Sequence, residues 1–455
     1  NLESGFFYSL DGSGADIWNA LVAGHTGRQF VVASRADVHG AAEIAGFIAE
    51  LRSEGLLAEA ARPAEPDPIS VSAFARPSMQ KFDDLKAFCW STPSTKPRLP
   101  VGPSSKLWTS RAAEMIEAKR GGAIAESAAS DLVHATADRQ FATSRIVEVG
   151  PLTIAIHFAD LELEALFANA FYPAPAAERA SWSLFVLVAA ESAPLPLSGF
   201  SANEPDMRLV ESADRYCLWM GRHSPSLYVV DRPSRRAICW VTEKSAVKVW
   251  ERSRPFLPAL QAMFDDSPWL AVHAAALALY DRAILFAGPG RAGKTTLSLA
   301  GLCAGWRFIG DDYVLVDTSE QAPAVAPLFA TARLRDDMVE RFPNLAAART
   351  AISSDFDEKR HELSLRGIAD LRGGPARLER LLFLERSGHP APNFAPIRRS
   401  RVLAAMAANT FVATPGAKEP RLRKLSRLLM AAPPARFDPG PRIEDGLAAL
   451  KAALG

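Results

Sequence analysis

The residues best suited to chemistry lie between positions 288 and 312. Gly288-Pro289-Gly290-Arg291-Ala292-Gly293-Lys294-Thr295 follows the spacing G-x-x-x-x-G-K-[ST]. Glycines at those places let main-chain N–H groups turn inward around phosphate oxygens, and the start of a following helix adds partial positive charge. Lys294 then bridges β- and γ-phosphates, and the Thr295 hydroxyl ligates magnesium. With Thr296 opening the helix, Gly288 to Thr296 is the expected cofactor-binding set for ATP and Mg2+. A glycine-rich turn that merely precedes a helix has no need of lysine and threonine at these two positions.

Downstream, Asp311 and Asp312 follow the strand-like run Arg307-Phe308-Ile309. In a right-handed strand–helix–strand unit this second strand runs parallel to the one before the loop, so both acids reach the sheet edge that holds the phosphates. Two carboxylates beside a polyphosphate repel it unless a cation intervenes. Asp311 is therefore assigned to the metal and Asp312 to taking a proton from an acceptor hydroxyl, with the reverse assignment left open. A solvated acidic turn is the plain alternative. His273 joins through a hairpin. If Asp281-Arg282 is a two-residue turn, position 273 faces position 290, where a histidine either contacts phosphate and steers the base or is packed on an apolar strand. The catalytic candidates are thus Asp312, Asp311, Lys294 and His273, and the metal candidates Thr295 and Asp311.

These residues need a strand, a helix and a second strand around them, and the pattern supplies all three. Ala283 to Ala287 has the composition of a buried strand, and Leu297, Leu299 and Leu302 mark a helix that Gly305 stops. From about Val249 to Arg398 the chain reads as α/β, followed by helices around a short extended piece at Ala435 to Asp438. Earlier, Arg145–Val149, Leu152–His157, Ser183–Val188, Tyr216–Trp219, Leu227–Val230 and Ala237–Val241 are strand-like, with a hairpin turn at Asp231-Arg232-Pro233-Ser234. Arg62 to Pro103 is a proline-rich connector, and 105–140 reads as alanine-rich helix. In the first sixty residues a short strand precedes helices whose inward faces are Ile17, Trp18, Leu21 and Val22, then Ile44, Phe47, Ile48 and Leu51. The expected division is 1–60 winged-helix-like, 61–145 connector and helices, 146–260 α+β, and 261–455 an α/β P-loop domain with C-terminal helices.

At 455 residues the chain exceeds one hydrophobic core, which fits that division. Hydrophobic content of 48%, charged content of 23% and a net charge of +1 describe a globular protein with no global field for nucleic acid. The longest apolar stretch, Leu270 to Ala287, is broken by Asp281 and Arg282, so no membrane anchor is expected. Cysteines at 89, 217, 239 and 303 show no metal spacing and predict a reduced, cytoplasmic compartment. The chain begins at Asn1 with neither a methionine nor a signal-peptide pattern, and whether native residues precede it is left open. Assembly into a homo-oligomer is left open. Lys418, Arg421, Arg423, Lys424 and Arg427 fall on one predicted helix and read as a solvated face or, as the lesser alternative, a contact for an acidic peptide.

His273, the hairpin, Gly288 to Thr296, the helix and Gly310-Asp311-Asp312-Tyr313-Val314 together resemble the catalytic core of the HPr kinase/phosphorylase family, including the related kinases of peptide natural-product biosynthesis. The resemblance covers Leu270 to Val316 and implies transfer of the ATP γ-phosphate to a serine hydroxyl by Lys294, Thr295, Asp311, Asp312 and His273. One departure lies downstream at Ala332-Arg333-Leu334-Arg335, where the bifunctional enzymes carry a glutamate signature. Phosphorylase activity and one metal ligand are therefore not implied, and Arg333, Lys359 and Arg360 either clamp phosphate or are surface charge. Phe7 to Trp18, with Phe47-Ile48-Ala49-Glu50-Leu51 and Gly55-Leu56-Leu57, resembles a PqqD-type element, which holds a precursor peptide's leader as an added strand. Jointly these imply a kinase acting on a ribosomally synthesised precursor peptide. The alternatives are a P-loop kinase of a carrier protein or small metabolite, and a nucleotide-dependent peptide-binding protein without catalysis.

Overall fold

Two units organise the chain, Asn1–Pro97 and Arg98–Gly455. The computed structural model describes residues 7–11, 14–22, 26–34, 36–53, 57, 77–82, 127, 130, 131, 136, 139–175, 179–189, 207–212, 214–221, 225–319, 322–355, 358–368, 374–416 and 418–454. Most of the expected connector at 62–103, and of the helix at 105–140, falls outside these residues.

In the first unit β1 (Phe7–Asp11) pairs antiparallel with β2 (Ser78–Phe82), Phe7 opposite Phe82. Between them in sequence come α1 (Gly14–Val22), α2 (Gly27–Ser34) and α3 (Val38–Ser53). Side chains fix where two of these helices start. Thr26 N donates to Gln29 Oε1 at 2.7 Å and Gln29 N donates back to Thr26 Oγ1 at 3.3 Å, a capping box for α2. Asp37 Oδ1 accepts from Gly40 N at 2.8 Å at the start of α3. Ile17, Phe30, Ile44, Phe47 and Leu51 are buried together, so the three helices close on one small core.

The second unit is mixed α/β, built on two large mixed sheets. The first is formed by β3 (Thr143–Val149), β4 (Leu152–Phe158), β5 (Tyr172–Pro173), β6 (Trp182–Val188), β7 (Arg208–Glu211), β8 (Arg215–Trp219), β9 (Ser226–Asp231) and β10 (Arg236–Val241), with α4 (Leu161–Phe167) following β4. Among the described residues its order is β5-β3-β4-β6-β10-β9-β8-β7. The turn between Asp231 and Arg236 closes the expected β9–β10 hairpin, with Arg235 at φ 54°. Two short helices, α5 (Val249–Ser253) and α6 (Leu257–Met263), lead out of this sheet.

The second sheet begins with β11 (Trp269–Val272), β12 (Ala275–Leu279) and β13 (Arg282–Ala287), continues through α7 (Lys294–Cys303) to β14 (Arg307–Gly310), and adds β15 (Val314–Asp317) and β16 (Ala324–Pro327). A separate antiparallel ribbon of β17 (Thr331–Arg335), β18 (Arg349–Asp355) and β19 (Glu358–Ser364) follows. β20 (Ala376–Leu384) returns to the large sheet, and β21 (Asn393–Pro396), α8 (Arg399–Ala413), α9 (Lys418–Ala431), β22 (Ala435–Asp438) and α10 (Ile443–Leu454) complete the unit. The path is β11-β15-β16-β20-β13-β12-β14, with β22 on β20 and β21 on β22. Alternation along the strands gives the sheet two buried faces. Trp269, Ala271, Leu315 and Ala326 share a core with the first sheet and α6, while Ile284, Phe286, Leu382 and Leu384 pack with residues of α7 and α10.

β12 runs antiparallel to both β13 and β14, so β13 and β14 point the same way with β12 between them. The loop after β13 and the acids after β14 are thereby delivered to one edge of the sheet. No helix among the described residues is long and apolar enough to cross a membrane.

Candidate functional site

β13 ends at Ala287 and the chain turns sharply. Gly288 adopts φ 145°, and a Cβ there would stand 2.8 Å from Leu384 O on the neighbouring β20. Only glycine fits this combination of backbone angle and close approach. Arg291 at φ 65° and Gly293 at φ 100° complete the loop, and Gly293 is the N-cap of α7. Pro289, Gly290 and Arg291 are exposed, so the loop opens to solvent.

Lys294 folds back over this loop. Its Nζ donates to Gly288 O at 2.8 Å and Pro289 O at 3.1 Å, and burial lowers its pKa against the pull of Asp311 and Asp312. The next residue reaches the acid pair. Thr295 Oγ1 lies 2.9 Å from both Asp311 oxygens, a bifurcated donation across the gap between α7 and the end of β14. Asp311 also accepts from Arg333 N at 3.5 Å. Burial, reinforced by the Asp312 charge, raises its pKa to about 6.

Asp312 is held differently. Tyr313 N donates to Asp311 O at 2.8 Å across Asp312, which has φ 65°, a tight three-residue turn at the strand end. Arg254 Nη1 donates to its Oδ2 at 2.9 Å, and His273 Nδ1 lies 3.2 Å from its Oδ1. Burial alone would raise this carboxyl, but Arg254 and His273 outweigh it and hold it well below the usual carboxylate range. His273 is itself lowered by burial despite that partner, and Nδ1 is the ring nitrogen that faces the carboxylate. Its backbone N donates to Thr410 Oγ1 at 3.0 Å, and its ring meets Tyr313 edge-on at 5.2 Å.

The sequence-predicted residues Lys294, Thr295, Asp311, Asp312 and His273 therefore converge, each touching the loop or another member. The route by which His273 arrives differs from expectation. Leu279 pairs with Arg282 and Ala275 with Phe286, so the hairpin turn is Tyr280-Asp281, with Tyr280 at φ 58°, and not Asp281-Arg282. Continued outward, this register sets position 273 opposite Gly288 rather than Gly290. Arg282 stays in the strand because Nη2 donates to Glu379 Oε1 on β20 at 3.1 Å.

Arg333 is not surface charge: its side chain is 11% exposed, its Nε donates to Glu362 Oε1 at 2.8 Å, and its charge contributes to lowering the pKa of Asp312. Two residues were missed by sequence reasoning. Arg254 arrives from the turn between α5 and α6, and no local pattern marks it. Arg386, at the end of β20, lays its guanidinium 3.6 Å from where a Cβ of Gly293 would stand. The position of Arg386 just beyond an adjacent parallel strand was the available signal.

The donor set around Thr295 and Asp311, one hydroxyl and one carboxylate, is the hard-oxygen kind that suits Mg2+ supplemented by phosphate and water. Among the described residues no cluster of three or more His, Cys, Asp or Glu forms a self-sufficient metal site. No protein-family model matches the chain, and no curated protein matches it in sequence.

Proposed function

We propose that the chain is an ATP-dependent kinase with a P-loop core of the HPr kinase type, acting on a serine hydroxyl of a ribosomally made precursor peptide. The observation that carries this reading is the Thr295–Asp311 contact beside the loop that Lys294 bridges, because it gathers a hydroxyl, a carboxylate and an ammonium at the start of one helix. Magnesium-bound ATP supplies the phosphoryl donor. Loop N–H groups and Lys294 bind its phosphates, and Thr295 with Asp311 holds the metal.

Asp312 accepts the proton of the acceptor hydroxyl. As that O–H bond breaks, the acceptor oxygen bonds phosphorus and the bond from phosphorus to the ADP oxygen breaks. A loose transition state leaves the proton on the acceptor until late, so a weakly basic carboxylate is sufficient if it is well aimed. His273 fixes one oxygen of that carboxylate. On the same reading, the first unit is a winged-helix peptide-recognition domain whose β1–β2 ribbon takes the leader as an added strand.

The test is incubation with Mg2+, γ-labelled ATP and peptides encoded beside this gene, followed by mapping of the label. Label on a peptide serine supports the reading. Label only on a carrier protein or metabolite replaces the acceptor, and ATP binding without transfer to anything makes the chain a nucleotide-dependent binding protein.

A further inference from the structure

Arg254 stands 58 residues before Asp312 in the chain, yet it meets that carboxylate inside the site. We infer that Arg254 is a positioning residue: with His273 it grips the two oxygens of Asp312 separately and fixes the plane in which that carboxylate meets an incoming hydroxyl. The inference rests on the kinase reading and deepens it.

Three observations carry it. First, Oδ2 is held by Arg254 at 2.9 Å and Oδ1 by His273 at 3.2 Å, so rotation about the Cβ–Cγ bond would break one contact or the other. Second, the arginine is itself braced, with its guanidinium carbon 5.6 Å from the centre of the Tyr313 ring, and Tyr313 Oη donates to Asn409 O at 3.1 Å. Third, the segment that presents it is over-determined. Thr331 Oγ1 donates to Ser253 O, and the buried Phe256 adopts φ 60°, a left-handed conformation a large aromatic rarely takes. Phe256 is kept there by Phe167 at 4.8 Å and Phe171 at 6.2 Å between ring centres. A strained residue held by packing two places after the arginine, and a carbonyl tied down just before it, are the pattern of a segment built to aim a side chain.

The experiment compares Arg254→Ala with the unaltered full chain in labelled phosphate transfer, ATP binding and crystal structure. Alanine is expected to lower kcat by about 100-fold while KM for ATP moves less than about threefold, and millimolar guanidinium ion is expected to restore about tenfold. The Asp312 carboxylate is expected to leave its present plane in the crystal. Should the alanine variant fail to fold, Arg254→Lys keeps one donor without the fork and is expected to lower kcat by roughly tenfold with the same carboxylate shift. Retained kcat, or a loss that guanidinium does not relieve with the carboxylate unmoved, overturns the inference. If the unaltered protein transfers no phosphate at all, the kinase reading fails separately. The Asp312 orientation in the variant then decides on Arg254 alone.

Discussion

Two places in the second unit bury a lysine, an arginine and an aspartate, and they use them in opposite ways. At the candidate site Lys294 caps two carbonyls of its own solvent-facing loop. The second place is where α9 docks on the end of α6. There Arg421, 0% exposed, forks onto both Asp265 oxygens at 2.7 Å and donates to Thr414 O and Pro415 O. Beside it Lys424 Nζ donates to Phe264 O, Asp265 O and Trp269 O. Every acceptor in that cluster is fixed and closed off. A buried charge with saturated, immobile partners is architecture, whereas one whose partners border an open loop can exchange them for a ligand.

The sharpest way to break this contrast is to remove one charged side chain from each place. Asp312→Asn should cut phosphate transfer by about 1000-fold with ATP binding retained, read by labelled transfer beside calorimetric titration. Arg421→Ala should do the reverse. Stranding Asp265 in the interior should cost about 3–5 kcal/mol in urea unfolding, while ATP binding by the molecules that stay folded is unchanged. If Arg421→Ala abolished ATP binding in folded protein, the two places would not be separable.

A pH titration sharpens the comparison further. In chelator, without nucleotide, Asp311 carries a folded pKa of about 6 against an ordinary value of 3.8. Below about 4 both folded and unfolded chains hold the proton, and between about 4 and 6 chiefly the folded chain does. Folding stability from this residue therefore falls as pH rises through that window, by on the order of 2 kcal/mol, and Asp311→Asn should remove the slope. The smallest effect belongs to the backbone. Gly288→Ala meets both the φ of 145° and Leu384 O, and should destabilise by about 1–3 kcal/mol in the same unfolding assay.

What could be read beforehand follows the same physical line. The loop, the helix and the acid pair were legible because glycine, lysine, threonine and paired aspartate at that spacing have few other uses. The hairpin register was misread by one turn position, since an ion pair to Glu379 on β20, beside it in the sheet but 97 residues away in sequence, keeps Arg282 extended. Arg254 was invisible because only tertiary folding brings it to Asp312. The charged residues of α9 misled for a related reason. Arg421 and Lys424 share a helical stripe with Leu425 and Leu428, and sequence cannot tell that the Asp265 carboxylate awaits the one and the carbonyls of Phe264 and Asp265 the other. Lys418, Arg423 and Arg427 on the same helix are exposed, as a solvated face requires.

The central claim is that the loop and the two acids serve one triphosphate. A crystal structure with Mg2+ and a non-hydrolysable ATP analogue tests it directly. The account predicts that Lys294 Nζ leaves the Gly288 and Pro289 carbonyls for phosphate oxygen, with the metal on Thr295 and Asp311. An analogue seated more than about 10 Å from Asp312, with Lys294 still on its own loop, would contradict it.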